Sequence, residues 1–245
     1  MRGWTDFIFR PDKKPLSLRK HLLGFFLKIF FGILLLWFGA AMACVLGPSL
    51  WHAPWLSREG IVFLTCFVAY FLIHFLLYQP VLSHVMAHEL THALAAMLMG
   101  GRVTSIQAST SGGTTVVNRS HVFISLAPYI FPFYTAITLV LYAIAAPSFK
   151  IYLLGLIGFT YAFHLALTVW SLSHHQPDLK EGGVVFSLIF IFAGNMMVLM
   201  FLFSLVFPQT LPLSQAFSGT FQWVWHLVRS VFHLLKPHLF HQDEK

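Results

Sequence analysis

The chain has 245 residues, of which 58% are hydrophobic and only 9% charged, whereas a soluble domain carries about 25% charged residues. Apolar runs of about 20 residues, enough for a ~30 Å hydrocarbon core, recur along nearly the whole length. This excludes a water-solvated globular domain and leaves one polytopic membrane domain. The net charge of +7 does not imply nucleic acid as a partner. Six of the basic residues precede the first apolar run, where a basic flank marks the cytoplasmic side, and no basic patch with interleaved aromatics occurs elsewhere.

Residues 1–20 form a basic, proline-containing arm. The first span is expected over 21–46, too long for a signal-peptide core and therefore read as a retained anchor; Lys28 sits near its start, where it can snorkel toward the interface. Residues 47–60 read as a connection, with Pro48, Pro54, Trp51 and Trp55 suited to the membrane–water interface. A second span over 61–78 ends at Pro80, and residues 81–99 continue as a helical pattern that stops at Gly100-Gly101. Residues 61–99 fit either two crossings or one long passage bent at Pro80. Residues 102–120 change character: Val103, Thr104, Ile106 and 114–117 are strand formers around a Gly112-Gly113 turn, which predicts a short hairpin.

Three further spans follow, over 122–146 (interrupted by Pro128 and Pro132), 151–172 and 184–207. The tail from 217 to 235 is amphipathic, with Phe221, Trp225 and Phe232 among the residues on its apolar face, and is expected to lie in the interface plane. Cys44 and Cys66 both fall in apolar runs and imply packing residues, with no disulfide framework. The expectation is an all-α polytopic membrane protein of about six transmembrane helices, with a short β-hairpin-like insertion after the motif helix. It divides into a cytoplasmic arm (1–20), a membrane-embedded domain (21–208) and a C-terminal tail (209–245). It would be an integral, multi-pass protein of a cell membrane, the inner one in a bacterium.

Chemistry concentrates in His88-Glu89-Leu90-Thr91-His92. Residues four apart stack on one helix face, so His88 and His92 can place two imidazoles on one metal ion, with Glu89 beside the first. A carboxylate there can take a proton from water whose pKa the metal has lowered toward ~7. Ionisable groups within the bilayer are costly, about 2.5–3.5 kcal/mol on insertion scales, which makes them functional-site candidates. No Lys or Arg lies on this helix to pair with Glu89.

A catalytic zinc ordinarily takes three protein ligands. Downstream of the motif the only acids are Asp178, Glu181, Asp243 and Glu244. Asp178, between Pro177 and the Gly182-Gly183 pair, is the leading candidate, with Glu181, His174 and His175 as alternatives. His84, one turn before His88, reads as a packing residue or a partner of a ligand. His74, His164 and Asn195 are polar groups in lipid that need partners, for which hydrogen bonds between helices are expected.

Residues 80–183 resemble the site-2 protease family of intramembrane zinc metalloproteases. The matching features are His88-Glu89-x-x-His92-Ala93 in a hydrophobic helix ending at Gly100-Gly101, the Gly112-Gly113-Thr114 segment, Leu126-Ala127-Pro128-Tyr129 entering a span, and Asp178 ahead of Gly182-Gly183. The resemblance implies one Zn2+ per chain on His88, His92 and Asp178, with Glu89 as the catalytic base. It implies membrane lipid and a transmembrane or membrane-adjacent protein substrate as partners. Family members commonly carry Asp-Gly at the third ligand; here Leu179 follows Asp178. The alternative function is a non-proteolytic metal-binding membrane protein, either a transporter or an inactive protease-like scaffold.

Overall fold

The computed structural model describes residues 18–119, 121–173 and 177–240. In chain order its elements are α1 (Leu18–His52), α2 (Arg58–Leu76), α3 (Val81–Leu98), β1 (Val103–Ser109), β2 (Gly112–Val117), α4 (Val122–Leu126), a 3-10 turn (Ala127–Tyr129), α5 (Phe133–Ile144), α6 (Pro147–Ser173), α7 (Asp178–Gly182), α8 (Val184–Val206) and α9 (Leu213–Phe240). The helical membrane architecture with one small two-stranded sheet is the one the sequence predicts.

Four of these helices, α1, α2, α6 and α8, are long and apolar enough to cross a membrane. A fifth passage arises if α4 with its 3-10 turn and α5 count as one span, bent by 73°. The single span expected over 122–146 is therefore a broken one. The break holds Pro128 and Pro132, and each removes a helical N–H and crowds the preceding turn. The motif helix α3 is not among the helices apolar enough to span.

The helices pair as α2 along α6, α1 along α8, and α5 along α6. Small residues set the closest of these approaches. A Cβ on Gly155 would lie 2.9 Å from Cys66 Sγ, and one on Gly158 would lie 2.5 Å from the carbonyl oxygen of Phe63. Between helices in lipid, where no hydrophobic force draws them together, such close backbone packing supplies much of the association. The outward faces stay apolar: Phe25, Phe26, Phe30 and Phe31 of α1 are each more than half exposed, as befits side chains solvated by lipid.

α1 runs on to His52, past Pro48, through residues expected to form a connection. Proline is tolerated within membrane helices, and α1 continues through Pro48. α9 begins at Leu213, packs on α1 and α8 through the buried Ala216 and Thr220, and leaves Phe221 and Trp225 exposed. It is not among the span-capable helices of the described residues. The basic arm falls almost wholly outside the described residues.

The hairpin is antiparallel, pairing Gln107 with Thr114 and Ser109 with Gly112, and it lies against α3. Its turn sits at Thr110-Ser111, two residues before the expected glycine pair. The Ser109 hydroxyl closes it, donating to Gly112 O at 2.8 Å and accepting from Ser111 N at 3.3 Å. Side-chain hydrogen bonds of this kind let serine build a turn.

Candidate metal centre

α3 is a helix sheltered by protein. Eight of its residues are buried: Val85, Ala87, His88, Glu89, Thr91, His92, Ala93 and Ala96. The short α7 brings Asp178, at its first position, down beside the two histidines. His88 Nε2 and His92 Nε2 lie 3.1 Å apart, and Asp178 Oδ2 is 3.4 Å from the first and 3.6 Å from the second. All three residues are at most 3% exposed.

This donor set fits a tetrahedral metal. With bonds of ~2.0–2.1 Å to zinc, ligand atoms in a tetrahedron stand ~3.3–3.4 Å apart, within a few tenths of an ångström of each observed separation. Two imidazole nitrogens and one carboxylate oxygen are zinc-type donors, and three protein ligands leave the fourth position open. Asp178 Oδ1 is buried without a hydrogen-bond partner among the described residues. A buried carboxylate so poorly hydrogen-bonded calls for a cation. Among the described residues, these are the three that could hold a metal ion together.

Partners around the cluster set its orientation. The Nδ1–H of His92 donates to Ile124 O at 2.8 Å. A carbonyl can only accept, so Nδ1 carries the proton and Nε2 presents its lone pair to the metal position. The Tyr129 hydroxyl donates to Asp178 Oδ2 at 2.9 Å, and the ring of Tyr129 stands edge-on to His88 at 5.3 Å. Asn195 Nδ2 donates to the Tyr129 carbonyl at 2.8 Å, tying α8 to the bend between α4 and α5.

The Glu89 carboxylate meets the hairpin, close enough to the cluster for its charge to act on His92. The Thr115 hydroxyl, fully buried in β2, donates to Glu89 Oε2 at 2.6 Å. Gly113 lies so close that a Cβ there would stand 2.6 Å from Glu89 Cγ and Val85 Cγ1. Only glycine lets the strand come this near the carboxylate.

The alternatives for the third ligand fare differently. Glu181, one turn beyond Asp178, accepts from the Ser125 hydroxyl at 2.5 Å and stands outside the cluster, while Lys28 Nζ donates to its backbone carbonyl at 3.3 Å. His174 and His175 lie outside the described residues. His84 Nε2 hydrogen-bonds Ser171 Oγ at 2.9 Å, and its ring stands 5.8 Å from that of His88. His74 bonds Tyr70 of its own helix at 3.2 Å, so the bond expected between helices is within one. Thr115 and the Ile124 carbonyl escape sequence reasoning altogether, since a threonine in a strand and a backbone oxygen carry no motif. Tyr129 belongs to the Leu126–Tyr129 segment, whose sequence gives it no role of its own.

A buried histidine pair and an aspartate, with a glutamate between the histidines, could together hold a metal ion on a bundle of apolar helices. The profile of the Peptidase M50B-like family matches residues 61–227, two thirds of the chain, and the chain belongs to that family of membrane metalloproteases. The matched region runs from α2 into α9 and includes every residue of the cluster. No curated protein and no solved structure matches the chain significantly.

Proposed function

We propose that this protein is a zinc-dependent intramembrane endopeptidase that hydrolyses peptide bonds in or near the membrane. The observation that carries the proposal is the approach of His88, His92 and Asp178 to within 3.1–3.6 Å of one another, with the Glu89 charge near enough to act on His92. His88 and His92 would hold the metal through Nε2, and Asp178 through a carboxylate oxygen. When bound, zinc supplies Lewis acidity, polarising a carbonyl and lowering the pKa of water toward ~7.

Glu89 is the general base. Its carboxylate takes the proton of the attacking water and returns it to the leaving amine, so charge is conserved over the cycle. Thr115 holds Oε2 and thereby restricts rotation of the carboxylate, which keeps its aim. Tyr129 and Ile124 orient Asp178 and His92, the residues that would hold the metal. The substrate is a transmembrane or membrane-adjacent protein segment, which unwinds to expose its backbone, because a helix in lipid keeps every peptide group bonded internally. Lipid solvates the apolar outer faces of α1, α2 and α8.

Replacing Glu89 by Gln tests this reading. Glu89→Gln should retain zinc and lower turnover of a transmembrane reporter substrate by at least ~10²–10⁴-fold, the usual range for a lost general base. Proteolysis at the wild-type rate by that variant would rule the mechanism out.

A further inference from the structure

Beside His88, α3, α5 and α6 line a small cavity, with about 20 Å³ open to the centre of a water molecule. One water needs ~10–15 Å³ of such space and about three polar partners. The polar walls are His84, His88, Thr91, Tyr134, Thr160 and His164.

Most of these groups have spent their hydrogens elsewhere. The hydroxyl of Thr91 donates to Ala87 O at 2.7 Å, that of Thr160 to Leu156 O at 2.8 Å, and that of Tyr134 to Ser83 O at 3.0 Å. His84 Nε2 is engaged with Ser171. Two rings have capacity left. His88 makes its contacts through Nε2, toward His92 and Asp178, and among the described residues its Nδ1 forms no hydrogen bond. His164, 9% exposed, turns one ring nitrogen to the Asn195 side chain, which leaves the other able to accept.

A metal-bound histidine almost always donates its second ring N–H to a carboxylate, a carbonyl or a water. His92 does so to Ile124. Among the described residues His88 has no such partner, and a polar cavity of one-water size lies against it. We propose that this cavity binds one structural water that accepts from His88 Nδ1–H and donates to the His164 imidazole, making His164 a positioning residue for the ligand His88. The threonine oxygens, whose lone pairs remain open, take the second hydrogen of the water. With Nδ1 protonated toward the water, Nε2 presents its lone pair to the metal, so the two histidines reach the same tautomer by different routes. Asn195, which sits beside His164 and donates to Tyr129 O, links this arrangement to the Asp178 side of the site.

The proposal rests on the metal reading above, and zinc affinity of the full-length protein in detergent, measured by competition with a chelator, separates the two. His164→Leu removes the acceptor and should weaken zinc binding ~10–100-fold, the usual cost of losing an outer partner of a ligand histidine. His164→Gln keeps an acceptor and should return the affinity to near the wild-type value, which mere packing at this position would not achieve. Ala87→Val crowds the cavity from α3 with His164 intact and should mimic His164→Leu; it decides the matter should the leucine variant fold poorly. Wild-type affinity in His164→Leu and Ala87→Val would overturn the water site while leaving the metal site standing. A wild-type protein that takes up no zinc would overturn the metal reading and this proposal together.

Discussion

The two walls that meet the motif of α3 are built on different principles. At one, His88 and His92 meet Asp178, Tyr129 and the Ile124 carbonyl, a set of donors and acceptors contributed by α4, the proline bend and α7. At the other, Glu89 meets a strand whose approach depends on the missing Cβ of Gly113 and on one hydroxyl, that of Thr115. The first wall fixes where a metal sits. The second fixes where a proton acceptor sits. Damage to the first should lower metal affinity and activity together, and damage to the second should lower turnover with the metal retained.

The largest separation is expected at Gly113. A Gly113→Val side chain collides with Glu89 Cγ and with the stiff Val85, so strand or carboxylate must move. A misplacement of about 1 Å can cost ~10²-fold in rate. Single-turnover cleavage should fall by about that factor while zinc content stays at the wild-type level; parallel loss of zinc would show that the two sides are not independent.

Tyr129→Phe probes the metal side at one atom. It deletes the hydrogen bond to Asp178 Oδ2 and keeps the ring against His88. Zinc affinity should weaken ~10–100-fold, as for other outer partners of metal ligands, and saturating zinc should restore most of the activity. An unchanged affinity would mean that the metal alone holds Asp178.

Thr115→Val should have the smallest effect of the three. The loss of one hydrogen bond to a charged group, worth ~1.5–3 kcal/mol, sets an upper bound of roughly 10–150-fold on kcat, and the lower end is expected because the carboxylate stays walled in by the strand. Zinc binding should not change. A raised KM with kcat intact would instead place Thr115 in substrate binding.

The same contrast explains what was legible in the sequence. His88, Glu89 and His92 were readable because helical spacing alone puts the two imidazoles on one face. Asp178 was traceable because lipid leaves so few acids to choose from, and the structure brings it to the cluster although Leu179 stands where the family resemblance leads one to expect glycine. The hairpin is legible as strands, but its residue types point to the glycines as the turn. In fact Ser109 and Ser111 make the turn, and Gly113 serves the close approach to Glu89. A pattern of residue types cannot distinguish these uses, because a glycine that permits contact looks the same as one that permits a bend. The extension of α1 past Pro48 was missed for a related reason. Proline ends helices in water, whereas in lipid a helix persists once its freed groups find partners.

Metal content of purified full-length protein tests the central claim most directly. The account predicts one zinc per chain in the wild type and in Glu181→Ala, whose side chain bonds Ser125 and stands outside the cluster. It predicts loss of zinc in Asp178→Ala, as in His88→Ala and His92→Ala. Full zinc occupancy in Asp178→Ala, with loss in Glu181→Ala, would contradict it and move the third ligand one turn along α7.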